Sequence, residues 1–116
     1  MSHFNIQQEG PHTVVEFITP SLMDPMELEK IAQQLYGLVD DEDRRSIILD
    51  FEQVAYLSSQ AISVLLALQK KLAPLPRSRL ILCGVGARLM ELLRITRLDR
   101  VLTIRPSQQE ALKVQP

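Results

Sequence analysis

The sequence predicts an α/β fold in the order ββαβαβαβα, a mixed and mostly parallel sheet with helices packed on it. Three observations predict it. Short β-branched runs alternate with longer Leu/Ala-rich segments at helical spacing. Only Glu9-Gly10-Pro11-His12 separates the first two strands, and that turn chemistry suits an antiparallel pair. Each later strand is separated from the next by a helical segment, which calls for parallel crossovers.

Phe4-Asn5-Ile6-Gln7-Gln8 alternates apolar and polar residues, as a half-buried strand does, and Thr13-Val14-Val15-Glu16-Phe17-Ile18 is the second strand. Thr19 to Met23 reads as a loop. Asp24-Pro25-Met26-Glu27 opens a helix with an N-cap, a proline in the first turn and a capping-box glutamate. Leu28, Ile31, Ala32, Leu35, Leu38 and Val39 then line one helical face. The acidic run Asp40-Asp41-Glu42-Asp43 suits a helix C-terminus badly and reads as a solvated loop.

Ser46-Ile47-Ile48-Leu49-Asp50-Phe51 is short and nearly all apolar, the mark of a strand buried on both faces. Glu52 to Leu57 is a connector with apolar anchors. Ile62 to Leu72 is the second helix, stopped by Pro74 and Pro76. Its broad surface of Ala61, Ile62, Val64, Leu65, Leu66, Leu68 and Leu72 implies burial against a sheet and a neighbouring helix. Arg79 to Cys83 is a further strand, Gly84-Val85-Gly86 a tight turn, and Leu89, Leu92, Leu93 and Thr96 mark the third helix. Val101 to Arg105 is the last strand. Ser107-Gln108-Gln109-Glu110 is a second capping box.

A chain of 116 residues implies one domain, spanning residues 1–116, large enough to bury a core without staples. No apolar run is long enough to span a bilayer, so no membrane insertion is expected. The N-terminus lacks the basic and apolar regions of a secretory signal. The lone cysteine, Cys83, excludes an internal disulfide framework; together these features suit a cytoplasmic protein. With 4% aromatic residues and no Trp, few platforms exist for stacking bases, which argues against direct nucleic-acid binding.

Charge is divided along the chain. Residues 1–69 carry three Lys/Arg against eleven carboxylates, and residues 70–116 carry ten against three. Arg88, Arg94, Arg97 and Arg100 cluster around the third helix, as a solvated face or as a contact for an acidic partner.

Catalytic chemistry is not legible. His3 and His12, the only histidines, fall in N-terminal segments read as surface, and Cys83 lacks a spaced partner, so no metal site is expected. Gly84-Val85-Gly86-Ala87-Arg88-Leu89 lacks the third glycine of a dinucleotide fingerprint and the Lys-Ser/Thr of a phosphate loop. Leu57 and Ala61 stand where a serine-hydrolase elbow has glycines. The expectation is a non-enzymatic protein without cofactors.

The remaining feature is the serine pair in Tyr56-Leu57-Ser58-Ser59-Gln60-Ala61-Ile62. Either serine can cap the second helix or present a hydroxyl to solvent. The run Leu49-Asp50-Phe51, a short connector, Ser58-Ser59 and a Leu-rich helix resembles the signature of the STAS domain, the fold of the anti-sigma factor antagonists. Leu82-Cys83-Gly84-Val85 and Leu93-Arg94-Ile95-Thr96-Arg97-Leu98-Asp99 resemble later elements of that family, and the likeness spans roughly residues 4–112.

The resemblance implies a STAS-type fold and a regulatory binding function. An anti-sigma factor that is also a serine kinase binds the unphosphorylated antagonist, phosphorylates a serine at the start of the second helix and so releases it; a phosphatase resets it. Against the family's aspartate-serine-serine-glycine motif, Ser58 stands at the aspartate, Ser59 at the phosphorylated serine, Gln60 at the second serine and Ala61 at the glycine. Ser59, with Ser58 as the alternative, is the implied phosphorylation site. Ser58, Ser59, Gln60, Asp24 and Ser21 are the implied partner-binding residues. The other role open to such a domain is a constitutive scaffold subunit of a signalling or transporter complex.

Overall fold

The computed structural model describes residues 4–114; His3 lies outside them. In chain order the elements are β1 (Phe4–Glu9), β2 (His12–Phe17), β3 (Ser21–Leu22), α1 (Pro25–Asp40), β4 (Ser46–Asp50), β5 (Tyr56–Leu57), α2 (Ser59–Leu72), β6 (Arg79–Cys83), α3 (Ala87–Ile95), a 3-10 turn (Leu98–Arg100), β7 (Thr103–Arg105) and α4 (Gln108–Leu112). The main sheet has five strands in the order β1-β2-β4-β6-β7. β1 runs antiparallel to β2, and all other neighbours are parallel. The mixed, mostly parallel sheet is therefore the one the sequence predicts.

Helices cover both faces of this sheet, unequally. On one face α1, α2 and α3 bring Leu28, Leu35, Leu68 and Leu93 onto Ile47, Leu49 and Leu82. On the other, the short α4 sets Ala111 over Val14, Ile48, Ile81 and Cys83. Every residue of β4 is buried, which explains why its sequence is an apolar run rather than an alternation. The six residues predicted for the apolar stripe of α1 are the six that are buried. Leu68 of α2 is fully buried, and truncating a leucine so placed costs about 2–5 kcal/mol.

Several expectations need correction. Thr19–Met23 is not wholly loop, and residues 52–57 are not wholly connector. Ser21–Leu22 and Tyr56–Leu57 pair in parallel as a separate two-stranded sheet. Two-residue strands carry no periodicity, so only the pairing reveals them. β1 is an exposed edge rather than half-buried, with Ile6 in solvent. The last strand begins at Thr103, because Val101 and Leu102 complete the turn after α3. The Asp24 cap accepts from the Met26 N–H, not from that of Glu27 as a capping box requires.

His12 is buried rather than on the surface, and its Nδ1 is hydrogen-bonded to the Ser46 hydroxyl. The turn residues placed it outside, but pairing with Glu9 across the hairpin carries it into β2. The acidic run, by contrast, is solvated as expected.

Two left-handed residues shape the connections near the sheet's edge. Arg97, at φ 62, ends α3 and turns the chain so that Leu98 and Leu102 enter the core. Gly84, at φ +66, follows β6, and a Cβ there would stand 2.9 Å from the Glu52 backbone nitrogen and 3.0 Å from Asp50 Oδ1. The positive φ and the close backbone each oppose a side chain. Gly84→Ala is therefore expected to cost about 2–4 kcal/mol, read as a lowered urea midpoint with an unchanged slope. A midpoint within error of wild type would refute this account of the turn.

Candidate functional site

The serine pair is positioned by the second, smaller sheet. β3 leads into α1 and β5 leads into α2, and their parallel pairing sets Ser21 beside Tyr56 and Leu22 beside Leu57. Both helices therefore begin side by side at one end of the molecule. Backbone hydrogen bonds extend the junction: the Ala55 N–H reaches the Pro20 carbonyl at 2.8 Å, and the Ser58 N–H reaches that of Leu22 at 3.1 Å. The Gln60 side chain spans the two helix starts, its Nε2 donating to the Pro25 carbonyl at 3.3 Å. In this way the segment that holds Ser58, Ser59 and Gln60 is tied beside the one that holds Ser21 and Asp24, although some 35 residues of chain separate the two.

The two serines differ in state. Ser58 is the N-cap of α2: its backbone is extended (φ −88, ψ 168) and its Oγ accepts from the Ala61 N–H at 3.2 Å. It is half-buried. Ser59 is the first helical residue and is exposed. Among the described residues its hydroxyl makes no hydrogen bond; its backbone carbonyl accepts from the Ser63 hydroxyl instead. One serine is thus committed to the backbone, and the other presents its hydroxyl to solvent. Ala61 is buried, so the residue at the motif's glycine position packs into the core rather than bordering solvent.

Sequence reasoning missed the exposed apolar residues on the segments that lead into α1 and α2. Met23 and Met26 flank the Asp24 cap, and Tyr56 sits in β5; they are 50%, 75% and 50% exposed. Met26 lies off the buried stripe of α1, an apolar residue on a polar face, and that position was the available signal. The Arg88 guanidinium lies over the Tyr56 ring, 5.2 Å from its centre. This divides the arginine cluster. Arg88 belongs to the serine end of the molecule, whereas Arg94 is six residues on, about 9 Å further along α3.

Behind the loop, the connector from β4 is held by a buried carboxylate. Asp50 Oδ1 accepts from the Glu52 N–H at 2.9 Å and Oδ2 from Gln108 Nε2 of α4 at 3.0 Å. Beside it, burial pushes the Cys83 thiol up from 9.0 to about 12, with Asp50, then Glu52 and Glu16, adding repulsion of the thiolate. No group of three or more His, Cys, Asp or Glu among the described residues is placed to hold a metal ion. No helix among them is long and apolar enough to cross a membrane.

The family model of the STAS domain matches residues 3–111. The chain belongs to the STAS domain family. Among solved structures it is similar to an anti-sigma-factor antagonist (STAS) domain protein from Planctomyces limnophilus, 26% identical over 97% of this chain and 96% of that one, with a TM-score of 0.85. Two further neighbours share the fold at lower identity. SpoIIAA, an anti-sigma factor antagonist solved in its unphosphorylated form, is 14% identical over 94% of this chain and 93% of its own, with a TM-score of 0.72. A sulfate transporter family protein from Wolinella succinogenes is 20% identical over 90% of this chain and 84% of its own, with a TM-score of 0.71. Among the curated proteins none matches the chain in sequence.

The unequal serines lead to a stability test. Ser58→Ala removes a cap and is expected to cost about 1 kcal/mol. Ser59→Ala should stay within about 0.5 kcal/mol of wild type. Urea unfolding of both checks the order, and equal losses would refute the assignment of the cap to Ser58.

Cys83 supplies a pH test. Its folded pKa lies above its unfolded one, so its stabilising contribution is complete below about pH 9 and is lost as pH rises toward 12. Thermal unfolding of the wild type should therefore weaken relative to Cys83→Ala across that alkaline range. At pH 8 the native thiol should resist alkylation that the urea-unfolded chain accepts.

Proposed function

We propose that this STAS protein is a regulatory binding module, an anti-sigma factor antagonist. It docks on an anti-sigma factor with serine kinase activity through the face around Ser59, and phosphorylation of Ser59 releases it. The kinase transfers the γ-phosphoryl group of ATP to Ser59 Oγ, which loses its proton, and ADP leaves. A phosphatase hydrolyses the ester and restores the binding form.

The observation that carries this reading is the free, exposed hydroxyl of Ser59 at the first position of α2, with Met23, Met26 and Tyr56 exposed nearby. A phosphate adds roughly −1.5 to −2 charges. At the positive end of the α2 dipole the folded chain tolerates that charge. A partner packed on the apolar rim does not, because a buried and unpaired charge costs several kcal/mol. The same modification therefore leaves the domain folded and breaks the complex. Ser21, Asp24, Ser58 and Gln60, joined to the same corner by the bonds described above, complete the docking face.

The test is to incubate the chain and Mg-ATP with the serine kinases encoded near its gene, and to map phosphate by mass spectrometry. Phosphate is expected on Ser59 and not on the Ser59→Ala variant. Ser59→Asp should weaken the kinase complex by about a hundredfold or more in a titration. No phosphate on Ser59 or Ser58, with unchanged affinity of Ser59→Asp, would overturn the switch. That outcome favours the second reading, a constitutive scaffold subunit of a signalling or transporter complex, which the likeness to a sulfate transporter family protein supports.

A further inference from the structure

The C-terminal end of α3 carries features that the serine face does not use. A groove of about 650 Å³ runs between α3 and β7. Val85, Met90, Leu102, Ile104 and Pro106 supply its apolar lining, Arg94 and Arg105 its cations, and Asp99 its one carboxylate. Its volume lies within the range of sites that bind ligands. β7 is the last strand of the sheet, so no further strand covers this side of the groove.

Next to the groove, the turn after α3 exposes Ile95 by 72% and Val101 by 54%, interleaved with exposed Arg97 and Arg100. Among the described residues Arg94, Arg97 and Arg100 carry no ion pair.

The geometry points to this groove as a second docking site, one for an acidic, aliphatic segment of a partner protein. Its aliphatic side chains enter between α3 and β7, and its carboxylates pair with Arg94 and Arg105 of the lining and with Arg97 and Arg100 of the adjoining turn. Charge selects the occupant. A second copy of this chain is disfavoured because its own acidic run is largely engaged: Asp40 pairs with Lys71, Glu42 with Arg44 and Asp43 with Arg45. An anionic bilayer is disfavoured because the chain carries a net charge of −1 and the carboxylate of Asp99 lies among the groove's cations. Arginine is suited to carboxylates at such a rim because its planar fork binds them bidentately. This site does not depend on the proposed action at Ser59.

The test is selection from a random peptide library displayed on phage, with the wild-type chain as bait and the double variant Arg94→Glu/Arg97→Glu as counter-bait. Enriched peptides should combine Asp or Glu with Leu, Ile or Val. Synthetic copies should shift the amide resonances of Val85, Met90, Leu102 and Ile104 and leave those of Ser58 and Ser59 in place. Binding should weaken at least about tenfold in the double variant and with added salt, and be unchanged in Ser59→Asp. The proposal is overturned if the enriched peptides lack acidic residues, if their shifts fall on the serine face, or if the double variant binds them equally. It is also overturned if phosphatidylserine vesicles bind the chain and displace the peptides, or if the free chain self-associates through Arg94 and Arg97.

Discussion

The central strand ends on a buried carboxylate, and much of the end of the molecule that carries the candidate site depends on it. Asp50 is only 4% exposed, yet both its oxygens are bonded, one to the backbone of the connector and one to Gln108 of α4. A buried carboxylate without such partners would carry a heavy desolvation cost; with them it holds three segments together. The Phe51 N–H adds a bond to the Cys83 carbonyl, and Phe51 itself stacks on Phe17 with ring centres 5.1 Å apart. The absence of a side chain at Gly84 leaves the connector room to pass. The chain therefore reaches β5 on a defined path, and β5 delivers the serines.

From there the small β3–β5 sheet converts two remote loops into one surface. The interaction is modest, two paired residues with a few flanking hydrogen bonds, but its geometry sets where α1 and α2 begin. Helix N-termini leave unpaired N–H groups and a positive dipole end. Asp24 answers the first by capping α1, and Ser58 answers the other by capping α2. Because Ser58 fills that role, Ser59 does not have to. Cap and candidate switch are neighbours in sequence with separate duties.

The molecule also separates its charges less than the sequence suggests. The acidic run at the end of α1 is answered mostly by Lys71, Arg44 and Arg45. Among the described residues the arginines of α3 have no such partners, except that Arg88 lies on Tyr56. A dipolar sequence has become a largely compensated end and an uncompensated one. This matters because only unpaired charge remains available to steer and hold a partner.

The sequence by itself determined the order of elements, the mixed sheet, the apolar stripe of α1 and the fully buried central strand. Each rests on a pattern repeated within one segment, and hydrophobic periodicity is a local signal. It also brought the serine pair to the start of α2, because caps have a characteristic composition. Only tertiary structure decided which serine caps and which stays free, since that turns on one hydrogen bond from Ala61. The burial of His12 against Ser46, the parallel pairing of β3 with β5 and the placing of Arg88 over Tyr56 were likewise beyond the sequence. Each is a contact between distant segments too short or too irregular to carry a period, and only the folded chain brings them together.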